Sequence, residues 1–349
     1  MSTPRTRLKD VAESTGFSVN TVSLALRASP RIPSETSALI LEAARRLDYV
    51  PNRAARSLVE RTSRTIGLVL TDLRNPTQTM AAQAIERRLA EAGYSMMLAA
   101  SDNSVKNELA AIVTLRSHQV DGLLIYPANH GRLGHIRRLR TIGQPIVLLG
   151  AERRTGLDIV AVDDRRGAFK AVNHLASQGH KQIAFFDAGV KLGNREKYEG
   201  YRQALAAHRI KPNDALSPDP GGHGARSGYE AMAKLMRRRL RPTALFTPND
   251  DLALGAIAWC RDHGVDVPGD LAVVGYDNIE LAPFAWPPLT TINYDVDAVS
   301  AAAIDRLLAL AENPNRKSQV TLIEPELIVR ESCGAIAQKT ISSDRLASC

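Results

Sequence analysis

Cysteine is scarce in this chain. The three present in 349 residues, Cys260, Cys333 and Cys349, are too far apart for a zinc spacing, and an odd count argues against a disulfide framework. Reduced thiols in a cytosol fit that usage. No apolar run approaches the length that spans a membrane, and the polar N-terminus has no signal-peptide core. The expectation is a soluble, cytoplasmic protein with no membrane partner. A glycine-rich phosphate loop is also missing: the apolar run Ile66–Leu70 is followed by TDLRNPTQ, so the dinucleotide-binding signature is absent. There is no metal-ligand spacing and no nucleophile elbow. Asp163-Asp164 looks like a pair of acids, but a strand-end cap and a cleft wall fit it better. No catalytic residue, metal or cofactor is therefore expected, and the chain is not read as an enzyme. Low-complexity tracts and short-period repeats are absent as well.

What is present is a core-forming, basic chain. Hydrophobic residues make up 44%, ample for a buried core. The length suggests two or three domains. Residues 1–64 hold 11 Lys/Arg against 6 Asp/Glu, whereas the remainder holds 34 against 31. Most of the net charge of +8 thus sits in under a fifth of the length. That asymmetry points to a nucleic-acid-binding N-terminus, although a solvated basic surface would also produce it.

Leu8–Arg27 reads as two short helices joined by a turn. Leu8, Val11 and Ala12 fall at helical spacing, Gly16-Phe17 breaks the first helix, and Ser18 can cap the second. In the second helix Val19, Val22, Ser23 and Leu26 share one stripe. Such a helix-turn-helix places its second helix where it can enter the DNA major groove. A third helix is expected from Ser34 to Asp48, with Leu39, Ile40, Ala43, Ala44 and Leu47 as its stripe. The residue before Pro51 leaves helical geometry. Asn52–Val59 then reads as a short helix carrying Leu58, and Glu60–Arg64 as a charged linker.

From Thr65 short apolar runs alternate with helical stretches. The runs are Ile66–Leu70, Met96–Ala99, Gly122–Tyr126, Ile146–Leu149, Ile183–Phe186, Ala244–Phe246 and Leu271–Val274. This alternation predicts parallel sheets covered by helices on both faces. The stretch is long for one such sheet, so two lobes are expected, with ligand binding beyond the C-terminal strand ends in a cleft between them.

Ten segments, in order and at matching spacing, carry a family resemblance: DVAESTGFSVNTVS, RRLDYVPNRAARSLV, RTIGLVLTDLRNP, VDGLLIYP, AVDDRRGAFKAVNHLASQGHKQIAFF, EGYRQAL, RPTALFTPNDDLALGAI, DLAVVGYDN, PPLTTI and LIVRES. Through them the chain resembles the lactose-repressor (LacI) family of bacterial transcription regulators over nearly its whole length. The resemblance implies an N-terminal three-helix DNA-reading domain (1–50), a hinge helix and linker (51–64), and a two-lobed parallel α/β domain of the type I periplasmic-binding-protein fold (65–335). Residues 336–349 are expected to form a tail. It also implies a ligand-responsive repressor acting as a homodimer on a pseudo-palindromic stretch of double-stranded operator DNA. Some relatives form tetramers through a C-terminal leucine heptad; residues 333–349 have no such repeat, so a dimer is expected.

Ser18, Val19, Asn20, Thr21, Ser23, Leu24 and Arg27 should lie on the exposed face of the second helix. Asn20 can pair donor and acceptor with adenine, while Thr21, Ser23 and Arg27 suit phosphate oxygens. By resemblance, Val19, Asn20 and Leu24 fall at base-reading positions. The family usually has arginine where Leu24 stands; leucine offers only apolar contact, for instance to a thymine methyl, unless it packs between helices. Leu58 stands where the family places a minor-groove wedge, with Arg53 and Arg56 beside it for phosphates.

Family position also marks cleft candidates: Asp72, Asn75, Thr77, Arg195, Lys197, His223, Asn249 and Asp277. Carboxylates, amides and basic groups together suit a small polar effector, with a sugar or sugar acid favoured. Three departures bear on its identity. Thr77-Gln78 replace a common pair of aromatics, which makes a purine less suited; Lys197 replaces a common arginine; His223 replaces a common aromatic. An exported sugar-binding transport protein shares the two-lobed fold, but it needs an export signal and has no counterpart of Leu8–Leu58.

Overall fold

A computed structural model describes residues 6–50, 62–150, 153, 155–186 and 195–334. The chain divides into two units, 1–63 and 64–349. In the first, helices α1 (Leu8–Thr15), α2 (Val19–Leu26) and α3 (Ser34–Arg46) enclose Val11, Ala12, Val22, Ala25, Ile40, Ala43 and Ala44. The Arg7 N–H donates to the Asp10 carboxylate at 2.7 Å, which fixes the start of α1. Gly16 ends that helix at φ +72°, a left-handed conformation that glycine takes without steric cost. Ser18 then caps α2 by accepting from the Thr21 N–H at 3.1 Å.

Two details differ from the sequence reading. The buried stripe of α2 is Val22 and Ala25, with Leu26 packed beside them, whereas Val19 is 45% exposed and Ser23 half-buried. A two-turn helix meets its neighbours along only a narrow strip, and here that strip is rotated from the predicted one. Helix α3 ends at Arg46 rather than Asp48, and Leu39 is 62% exposed instead of lying in the core.

The second unit contains two sheets. The elements of the first are β1 (Thr65–Leu70), α4 (Pro76–Glu91), β2 (Ser95–Ala100), α5 (Val105–Ser117), β3 (Gly122–Ile125), α6 (Gly134–Thr141), β4 (Ile146–Leu149) and β5 (Ile159–Val162). Those of the second are α7 (Asp164–Ser177), β6 (Ile183–Phe185), α8 (Glu196–Ala207), α9 (Ala225–Met236), β7 (Ala244–Phe246), α10 (Asp250–Asp262), β8 (Ala272–Asp277) and β9 (Thr290–Asn293). The chain then returns to the first sheet with α11 (Val296–Glu312) and β10 (Val320–Ile323), and ends in the second with β11 (Glu326–Ile328).

The first sheet is wholly parallel, in the order β10-β5-β4-β3-β1-β2. Helices α4 and α11 cover one face through Ile85, Leu89, Ile304 and Leu307, while α5 and α6 cover the other through Ile112, Leu115, Ile136 and Leu139. The second sheet runs β11-β9-β8-β7-β6. Its β6 to β9 are parallel, but β11 pairs antiparallel with β9, a departure from the all-parallel expectation. That strand enters directly from β10 in the other sheet, so no helical crossover sets its direction.

Chain crossings between the sheets follow β5, β9 and β10. The strands β5, β9, β10 and β11 lie outside the alternation read from sequence. Thr290–Asn293 shows why: with two threonines and an asparagine, it has no apolar run to betray it.

Candidate functional site

Two regions carry chemistry, one in each unit. On α2, Asn20 is exposed, and Leu24 and Thr21 are half-buried. The Thr21 and Ser18 hydroxyls lie 2.8 Å apart, and Arg27 donates to the Ser23 hydroxyl at 2.6 Å. Ser18 and Thr21 therefore serve the helix start, and Ser23 braces Arg27. Asn20 and Val19, at the first turn, present an amide and an apolar side chain to solvent. Arg53, Arg56 and Leu58 lie outside the described residues.

In the second unit a cavity of about 600 Å³ opens between the two sheets at the C-terminal strand ends. Of the residues expected there, Asp72, Asn75, Thr77, Lys197, His223, Asn249 and Asp277 line it. Arg195 does not: it stands exposed at the N-cap of α8, one step before the helix turns Lys197 inward.

Several of these groups are already engaged. Asp72 accepts from the Arg74 side chain at 2.9 and 3.1 Å and from its backbone N–H, and this holds the carboxyl below its ordinary range. The Asn249 carbonyl oxygen caps α10 through the Leu252 N–H, and its amide nitrogen donates to the His223 backbone carbonyl at 2.9 Å. Asn249 thus ties the loop before α9 to the start of α10. Asn75 spends its oxygen on the Thr77 and Gln78 N–H groups, capping α4.

Lys197 is the central cation. Its Nζ lies 2.8 Å from the Pro248 carbonyl, 3.7 Å from Asp164 and 3.5 Å from the centre of the Tyr276 ring. Asp277 sits at φ +112°, a conformation costly for a non-glycine residue and found where function holds it in place. Burial pushes its carboxyl up to about 7, with Lys197 opposing and Asp164 adding to the rise. Behind it Asp250 accepts from the Thr291 hydroxyl at 2.6 Å and the Ile279 N–H at 2.9 Å, and burial raises it to about 8. Thr77 adds a buried hydroxyl beside Asp277. The two histidines of the cavity are held neutral: burial lowers His130 to about 4 and lowers His223 as well. Among the described residues no cluster of His, Cys, Asp and Glu could hold a metal ion. The set offers hydroxyl, carboxylate and imidazole groups around a space of small-molecule size.

The LacI-family model of bacterial regulatory proteins matches residues 7–52, and a periplasmic binding protein-like domain matches 172–333. The regulator DegA of Bacillus subtilis (strain 168) is 32% identical over 94% of this chain and 98% of its own length. The chain belongs to the LacI family. Its structure is similar to the lac repressor dimer bound to operator and the anti-inducer ONPF, with a TM-score of 0.86, 28% identity, and coverage of 95% and 100% of the two chains. It is also similar to a complex of the regulator CelR with cellobiose, with a TM-score of 0.71, 27% identity, and coverage of 94% and 100%. This LacI-family member is a ligand-responsive DNA-binding transcription regulator. Its relatives are transcription regulators rather than enzymes, and the transport-protein alternative fails on the match at residues 7–52.

The cavity of this LacI-family chain also holds residues that the sequence reading left out. Tyr126, His130, Phe185, Tyr198 and Tyr294 line it; Asp164, read from sequence as part of a cleft wall, lines it too. Tyr126 ends one predicted strand and Phe185 is next to last in another, so the rule that ligands meet C-terminal strand ends could have found them. The loss of aromatics at Thr77-Gln78 is offset by these rings from other elements. Tyr294 follows β9, a strand with no sequence signal, and nothing in the sequence marked it.

Proposed function

We propose that this regulator is a cytoplasmic repressor of a catabolic or uptake operon, a homodimer on a pseudo-palindromic operator, with a sugar or sugar acid as effector. The observation that carries it is the cavity: seven polar residues chosen by family position meet around one small-molecule-sized space in a chain that begins with a DNA-reading unit. The cellobiose complex of the related CelR supports a sugar. In this reading Val19, Asn20 and Leu24 meet base edges, while Ser18, Thr21, Ser23, Arg27, Arg53 and Arg56 meet the phosphate backbone. Leu58 and its partner-subunit copy wedge a central base step of the minor groove. Ligand shifts the balance of lobe arrangements only through its differential affinity for them.

A dimer also accounts for the exposed apolar side chains of the second unit. Trp286 is 86% and Phe284 79% exposed, and Leu98, Leu109 and Val113 on the other sheet's side are exposed too. Large apolar residues in solvent mark association surfaces. Replacing Phe284 and Trp286 together by glutamate is expected to shift sedimentation from dimer to monomer. Loss of the paired half-site contacts should then weaken operator binding at least about a hundredfold.

Leu24→Arg is expected to move the preferred half-site toward guanine at the contacted base in a selection from random duplexes, since arginine can grip guanine through two hydrogen bonds. An unchanged consensus would show that position 24 reads no base. The proposal as a whole is tested by recovering the operator from such a selection, then screening sugars, sugar acids and nucleobases by melting temperature, because a cleft ligand raises it.

A further inference from the structure

We propose that His130 is a specificity-determining residue of the effector cavity, and that the cavity selects uncharged polyhydroxy ligands over their carboxylate counterparts. The inference rests on the reading of a sugar or sugar acid as effector and narrows it. Among the described residues three Lys/Arg side chains line the space: Arg74, Lys197 and Arg226. Each is already engaged. Arg74 makes a two-pronged pair with Asp72, Lys197 is held by Asp164, the Pro248 carbonyl and the Tyr276 ring, and Arg226 lies 3.0 Å from Glu230. Against them the lining sets four carboxyl groups, Asp72, Asp164, Asp251 and Asp277. Among the described residues a ligand carboxylate entering here meets no cation that lacks a partner of its own, and it must be desolvated beside carboxyl groups, which is costly.

His130 fits the uncharged alternative. It follows β3 on the loop after Tyr126, lines the cavity, and makes no hydrogen bond to another described residue. Burial keeps its imidazole neutral at physiological pH, and Lys197 nearby works in the same direction, against Asp164. A neutral imidazole presents one N–H donor and one nitrogen acceptor. That pair matches two hydroxyls of a polyol, or one hydroxyl that both gives and receives. Asp277 can accept from further hydroxyls, and the buried Thr77 hydroxyl lines the same space.

The test uses the full chain at neutral pH and three matched pairs: glucose with gluconate, galactose with galactonate, and cellobiose with cellobionate. Titration calorimetry is expected to find at least one neutral sugar bound about tenfold or more tighter than its acid. For that sugar His130→Ala should lose about tenfold or more in affinity, the free protein melting within about 2 °C of the parent. His130→Gln, which keeps a donor and an acceptor, should recover part of the loss. An acid bound as tightly as its sugar overturns the inference while leaving a sugar-acid effector standing. A nucleobase as sole ligand overturns both. Unchanged affinity in His130→Ala overturns the role of that residue, and binding by no member of any pair overturns the selectivity.

Discussion

Gly255→Ala is expected to destabilise the second sheet's lobe by about 3 kcal/mol or more, the upper range for forced overpacking. The melting temperature should fall by roughly 6–12 °C in a unit of this size. Helices α9 and α10 cross so closely that a Cβ at Gly255 would lie 1.8 Å from the Ala225 carbonyl oxygen. Gly228, on the facing helix, is held as tightly against the Leu252 carbonyl at 2.2 Å. The obstacle is backbone in both cases, so no side chain can swing aside. The damage should reach the cavity, because α9 begins just after His223 and α10 just after Asn249, the two joined by one hydrogen bond. Effector affinity should therefore fall with stability. Gly134→Ala serves as the control: a Cβ there meets nothing within 4 Å, at the exposed first residue of α6, and the variant should melt at or slightly above the parent.

Asp277→Asn is expected to separate stability from binding. The carboxyl titrates at about 7 in the folded chain, against about 4 when unfolded. A raised folded value means that the native state holds the proton more tightly. The contribution to stability is full below about pH 4 and is lost as pH rises through about 7. Above that, the folded protein carries a buried carboxylate that the amide avoids. The variant should thus be more stable than the parent at pH 8, on the order of 2 kcal/mol, with the difference vanishing toward pH 4. Asp250, shifted in the same direction, leaves some pH dependence in the variant. Asparagine also tolerates positive φ, so the backbone at φ +112° is disturbed least by this change. Effector affinity should drop about tenfold to a hundredfold with the loss of a charged acceptor. Melting curves between pH 4 and pH 8, with titrations at neutral pH, check both halves; a variant less stable than the parent at pH 8 contradicts the sign.

Much of this was legible in the residues. Gly16, Ser18 and the spacing of Val11, Ala12 and Val22 mark the two helices and the turn between them, because local caps and a small core leave little freedom. Apolar runs such as Gly122–Ile125 announce fully buried parallel strands. The cavity was partly readable, since Asp72, Asn75 and Asp277 follow such strands directly. What escaped depends on long-range assembly. Thr290–Asn293 becomes a strand only by pairing with β8, and it brings Tyr294 to the cavity. Arg195 and Lys197 are two residues apart, and the turn of α8 sends one to solvent and the other inward. Asn249 lines the cavity, but each of its polar atoms already makes one hydrogen bond within the fold, which the sequence did not announce.

The central claim is that occupancy of the cavity and DNA binding are coupled in one chain. The direct measurement is fluorescence anisotropy of a selected operator duplex, titrated with protein at zero and saturating ligand, paired with ligand titrations with and without that duplex. Coupling predicts that ligand changes operator affinity by about fivefold or more, and that operator changes ligand affinity by the same factor, since linkage is reciprocal. A ligand that fills the cavity while operator affinity stays unchanged would contradict the account.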